Sequence, residues 1–175
     1  MLLAVGIIAV IGVIGAGSYF FLSGIFELFE PPVDISGMSI SSVYAAEELL
    51  PDQLINESMN RGTVNYGWMS GFVDGVDYYV NTTSAEYNGI TLRVWKTETE
   101  AEATLAFEEY YDDPFEDYSS GSRHKTKSLG WFTFEGGGTS GFAWISGVWI
   151  FGVEAGNTEA RNEAAAEWAQ ELRGY

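Results

Sequence analysis

The chain has no cysteine, so a disulfide framework, a thiolate metal site and a cysteine nucleophile are all excluded. Histidine is nearly absent as well: His124 stands alone, and zinc is left without its usual ligands. Positive charge is scarce. Eight Lys and Arg stand against 25 Asp and Glu, a net charge of −17, and no basic residue precedes Arg61. A field of that sign repels nucleic acid and anionic lipid headgroups, so neither is an expected partner. The most telling absence is at the start. Residues 1–26 hold no charged side chain, and Glu27 is the first ionisable group.

A run of that length can cross a hydrocarbon layer of roughly 30 Å as a helix rising about 1.5 Å per residue. Signal peptides and anchors normally carry a basic flank, and none is present here. The segment is therefore expected to be an unusual anchor or the exposed end of a processed chain. Gly6, Gly12, Gly15, Gly17 and Gly24 interrupt it, each costing a helix in water up to about 1 kcal/mol. Against lipid or like helices, small residues let backbones approach closely, and Gly12 and Ala16 have the spacing for such a contact. An ordinary lipid-facing anchor with incidental glycines is the other reading. Pro31 and Pro32 stop the segment. The expected organisation is an assembly or transmembrane helix over 1–30, a linker over 31–42 and a head domain over 43–175.

Within the head, 44–50 reads as a short helix, and Pro51-Asp52 opens a second turn running to Met59. A weak strand is expected within 64–69, with further strands over 76–81 and 90–96. Thr97-Glu98-Thr99-Glu100 forms a capping box for a helix reaching about Tyr111. Ala103, Ala106, Phe107, Tyr110 and Tyr111 make its apolar face. Residues 119–128 read as a polar loop, followed by strands over 129–135, 140–145 and 148–154, the last two joined by a tight Ser146-Gly147 turn. Asn157 or Thr158 caps a C-terminal helix with Ala160, Ala164, Trp168 and Leu172 on one stripe. The expected fold class is α+β: a long N-terminal hydrophobic helix, then a head with an antiparallel sheet and two packed helices. The last strand is apolar on both faces, so it is central or covered twice. A helix, a ligand or another subunit could supply the second cover.

Candidate chemistry is sparse. The acidic run Glu108, Glu109, Asp112, Asp113, Glu116 and Asp117 offers hard oxygens to Ca²⁺ but lacks the order of an EF-hand loop, and a solvated face explains it better. Arg123-His124-Lys125-Thr126-Lys127 is the one basic cluster. Arg123, Lys125 and Lys127 could dock on Asp112 and Asp113 of the same or a neighbouring subunit, or simply neutralise their own loop. His124 has no nucleophile or orienting carboxylate in a recognisable pattern, and Gly136-Gly137-Gly138 lacks the Lys-Ser/Thr of a phosphate loop. No catalytic residue, metal or cofactor is expected. Asn56-Glu57-Ser58 and Asn81-Thr82-Thr83 are glycosylation acceptor tripeptides, fitting a chain exposed outside the cell.

Met1-Leu2-Leu3-Ala4-Val5-Gly6-Ile7-Ile8-Ala9-Val10, continuing to about Phe29, resembles the mature N-terminus of a type IV pilin, on the archaeal pilin and archaellin branch. In that superfamily a basic leader is removed, the apolar helices pack as a filament core, and globular domains are displayed outside. The resemblance implies an extracellular homopolymer that is membrane-anchored before assembly, built through Leu2, Val5, Gly6, Ala9, Gly12, Val13, Ala16 and Phe20. It also implies that copies of the chain are its partners; surface glycans at the acceptor candidates Asn56 and Asn81 are compatible with that placement. Val5 departs from the Glu that bacterial pilins usually carry there. The alternative is a single-pass anchored domain outside the cytoplasm with a binding or accessory role.

Overall fold

The computed structural model describes residues 30–73, 76–112, 124–128 and 130–175. Residues 31–175 form one compact unit. Its centre is a seven-stranded antiparallel sheet in the order β3-β4-β5-β9-β8-β7-β6. The strands are β3 (Val64–Val73), β4 (Val76–Tyr87), β5 (Ile90–Lys96), β6 (His124–Ser128), β7 (Trp131–Gly136), β8 (Thr139–Ser146) and β9 (Trp149–Ala155). A small ribbon of β1 (Gln53–Leu54) and β2 (Met59–Asn60) precedes them. Helix α1 (Glu100–Asp112) links β5 to the second half of the sheet, and helix α2 (Thr158–Leu172) follows β9.

The two helices lie on opposite faces of the sheet. Side chains alternate along a strand, and the two hydrophobic clusters separate by that alternation. On one face Leu92, Val94, Trp144, Trp149, Phe151 and Val153 pack with Ala164, Ala165, Trp168 and Leu172 of α2. On the other, Tyr78, Val80, Trp95, Phe132, Phe134 and Ile150 pack with Ala103, Ala106 and Phe107 of α1. All seven residues of β9 are buried as a result. The second cover of this strand is a helix of the same chain, α1. Val33, Ile40, Leu49, Leu50 and Leu54 join α2 on the first face. That early segment is tied down by Lys96, whose Nζ donates to the carbonyls of Ser42 and Tyr44 at 2.6 Å each, and by Trp168 Nε1 on the Leu49 carbonyl at 2.7 Å.

The expected fold class needs correction. Among the described residues no helix is long and apolar enough to cross a membrane. What the chain builds there is a mainly antiparallel sheet with two helices of 13 and 15 residues. Residues 1–29 lie outside the described residues, so the long N-terminal helix that headed the expected class is not shown. Local expectations shift too. The short helix is a single 3-10 turn at Ala46–Leu49. In place of a helical turn reaching Met59, Ile55, Asn56 and Glu57 adopt left-handed conformations, at φ 54°, 50° and 64°, and join β1 to β2. Part of the polar loop, His124–Ser128, is edge strand β6. The box that caps α1 lies two residues later than expected: the Glu102 N–H donates to Thr99 Oγ1 at 3.2 Å, and the Glu102 carboxylate accepts from the N–H groups of Glu98 and Thr99 at 3.0 and 3.1 Å. Thr97 instead donates to the Val148 carbonyl at 3.0 Å. At α2 the cap is Asn157, whose side chain accepts from Ala160 N–H at 2.9 Å.

Candidate functional site

Three features of the described residues could carry function: a buried polar cluster, an acidic cleft and an exposed aromatic pad. The first joins the start of α2 to β7 and β8. Arg161 is 4% exposed, and its guanidinium donates to Asn162 Oδ1, Ser140 Oγ and the Gly141 carbonyl at 2.8–3.1 Å. Thr158 donates to the Glu135 carboxylate at 2.6 Å. Burial lowers the pKa of Arg161, opposed by the Glu135 carboxylate. Ser140, the hydroxyl at the centre, is itself buried and already engaged. The cluster clamps a helix end to the sheet, with the Ser140 hydroxyl held among Arg161, Thr158 and Glu135.

The acidic cleft, about 460 Å³, is lined by Glu47, Glu48, Asp52, Arg61, Glu171 and Tyr175 among others. Its carboxylates are largely spoken for. Asp52 pairs with Arg61 at 2.7 Å, Glu48 accepts from the Ala45 N–H at 2.6 Å, and Glu47 accepts from the Tyr66 hydroxyl. Glu171 is pushed up in pKa by burial first, then by Glu167 and Asp52. Among the described residues no group of three or more His, Asp or Glu side chains is placed to hold a metal ion.

The aromatic pad lies on the β3–β4 hairpin, on the face that α2 covers elsewhere in the sheet. Tyr66, Trp68 and Tyr79 are 67%, 65% and 52% exposed. Trp68 and Tyr79 stack with centroids 5.8 Å apart and planes 16° from parallel. Directly opposite Trp68 in the β3–β4 register is Asn81, which is exposed and two residues beyond Tyr79 on the same face. The hydrogen bond to Glu47 raises the pKa of Tyr66. An exposed aromatic cluster of this kind marks a contact surface.

The residues singled out in the sequence do not converge. Asn81 borders the pad, whereas Asn56 sits in the β1–β2 turn with its N–H donating to Glu167 at 2.8 Å. Lys125 and Lys127 belong to β6, the sheet edge away from the pad, opposite Phe134 and Phe132 of β7. Asp112 is the last residue of α1. Arg123 and Asp113 lie outside the described residues, as do Leu2, Val5, Gly6, Ala9, Gly12, Val13, Ala16 and Phe20. The pad itself is absent from the sequence reading, where Tyr66, Trp68 and Tyr79 fall only within the expected strands over 64–69 and 76–81; the usable signal is the acceptor tripeptide two residues after Tyr79.

No family model matches the chain, and no curated protein matches it. Among solved structures, a GTP-binding regulator from Thermotoga maritima is similar over 77% of this chain and 89% of its own, with a TM-score of 0.44 and 16% identity. A likeness at that level carries no functional meaning.

Proposed function

We propose that this chain is a non-catalytic, membrane-anchored domain of the cell exterior, with residues 31–175 as the displayed part and a binding or accessory role. The observation that carries the reading is the uncharged run over residues 1–26, long enough to bury in a bilayer. The displayed part suits solvent. It is strongly acidic, and its sheet is covered on both faces by its own helices, so it needs no neighbour to complete a core. The buried cluster around Arg161 is structural, and the acidic cleft spends its carboxylates on neighbouring donors. Among the described residues the remaining contact surface is the pad of Tyr66, Trp68 and Tyr79.

The second reading is a filament subunit that assembles through the same N-terminal segment, favoured by the small residues Gly12 and Ala16 at contact spacing. In that case subunit contacts of the displayed part run through its rim, because α1 and α2 cover most of the aromatic sheet. Fractionation of the source cells, with protease treatment of intact cells, tests both. Recovery in detergent extracts of the membrane, with residues 31–175 cleaved from outside, supports the anchored domain. Recovery in sheared filaments visible by negative-stain microscopy transfers the conclusion to the second reading. A freely soluble, protease-protected chain refutes both.

A further inference from the structure

The pad and the second acceptor tripeptide occupy one place in the fold. Along β4, Tyr79, Asn81 and Thr83 point to the same face, as Tyr66 and Trp68 do along β3. The register sets Trp68 against Asn81 and Tyr66 against Thr83, while Tyr79 stacks diagonally on Trp68. Adjacent strands are about 4.8 Å apart. A group attached to the Asn81 amide therefore emerges beside two exposed rings that stack nearly parallel. The C–H face of a pyranose is what such rings accept, since the π-face is electron-rich and the sugar's axial hydrogens are electron-poor. Asn56 offers a contrasting setting: it stands in a left-handed turn, next to Glu57 and held to Glu167, with carboxylates rather than rings at hand.

We propose that Asn81 is an N-glycosylation site whose first sugar packs on Tyr79 and Trp68. The inference rests on the exterior placement argued above. The donor is a saccharide linked through phosphate to a lipid. The Asn81 side-chain nitrogen bonds to sugar C1 as the C1–O bond to phosphate breaks; the lipid phosphate leaves with the bonding pair, and one amide proton passes to a base of the transferase. Thr83, the hydroxyl of the acceptor tripeptide, is 5% exposed in the folded chain. Transfer therefore precedes closure of the sheet, and the rings then receive a sugar already in place.

The test uses the full chain isolated from the membranes of its own cells, with mass spectrometry of the peptides containing Asn56 and Asn81, and thermal unfolding of the wild type, Asn81→Gln, Trp68→Ala and the double variant. The expected result is a hexose- or hexosamine-based mass increment at Asn81. Asn81→Gln should lower the unfolding midpoint by roughly 2–4 °C. That loss should largely vanish in the Trp68→Ala background, where the sugar has lost its platform. Additive losses would overturn the packing. A bare Asn81 with a modified Asn56 would overturn the inference while upholding the exterior reading. Two bare asparagines would overturn it as well, and protease cleavage of intact cells then judges the exterior reading separately.

Discussion

Trp144 and Trp168 provide a controlled comparison inside one cluster. Their indoles are 1% and 0% exposed, lie 5.5 Å apart edge to face, and both pack on Phe151 at 5.2 and 5.4 Å. Replacing either with Phe deletes the same atoms, so the transfer and cavity losses are similar. The polar terms are opposite. Trp168 Nε1 donates to the Leu49 carbonyl at 2.7 Å, and removing that donor strands a buried acceptor, at about 1–3 kcal/mol. Trp144 Nε1 is buried with no partner, so Trp144→Phe removes a donor whose burial already costs free energy. Trp168→Phe should therefore be the more destabilising by at least about 2 kcal/mol, taking the lower bound for each polar effect. Guanidinium unfolding of the full chain in mild detergent, with unchanged m, measures the gap. A gap under about 0.5 kcal/mol, or one of opposite sign, would refute the assignment of these two N–H groups.

Three further outcomes follow from the same geometry. A Cβ at Gly141 would fall within the ring of Phe134, its cross-strand partner, so Gly141→Ala should cost about 1–3 kcal/mol by overpacking; Phe134→Leu should recover part of it in a double-mutant cycle. Asn157→Ala should cost about 1 kcal/mol through loss of the α2 cap, read as a lower denaturant midpoint. The pH effect of Glu171 has a defined sign. Its carboxyl is raised above the ordinary glutamate value of 4.5, chiefly by burial, so the folded state holds that proton more tightly than the unfolded chain. Its ionisation in the folded state then costs stability as pH rises through the raised value, and the penalty is relieved as pH falls back toward 4.5. Glu171→Gln should raise the urea midpoint at pH 7 and flatten its slope between pH 7 and 4.5; an unchanged slope would show that Glu171 is not the group responsible.

Parts of this fold are readable from residue order because local pattern and burial agree. The double-sided apolar character of 148–154 identifies a strand covered twice, but periodicity carries no record of what covers it; α1 returns from distant sequence to do so. The end of β4 was misplaced at Asn81 for a definable reason. Its buried apolar residues are Tyr78 and Val80 in the first half and Ala85 and Tyr87 in the second, a switch from even to odd positions. The strand passes from beneath α1 to beneath α2, so the buried face changes midway, and a search for constant alternation ends the strand at the switch. The capping box shows a different limit. Thr97-Glu98-Thr99-Glu100 and Thr99-Glu100-Ala101-Glu102 both satisfy the pattern, and the choice falls to tertiary structure, which spends the Thr97 hydroxyl on Val148.

The two edges of the sheet are unequally protected. β6 contributes Lys125 and Lys127 to one edge, a common device against strand addition. β3, at the other edge, runs ten residues without a charge or a proline, and its neighbour β4 sets Asn81 one strand away. An edge of that kind invites pairing with another chain, and on this molecule it borders the exposed rings of Trp68 and Tyr79 as well. Net charge of −17 discourages approach over long distances, but its reach falls to about 8 Å at physiological salt. A bulky hydrophilic group at Asn81 would act at the range where charge no longer does, covering the rings and standing beside the open edge. The position of the acceptor tripeptide in β4, rather than in a loop, is what makes both effects available to one modification.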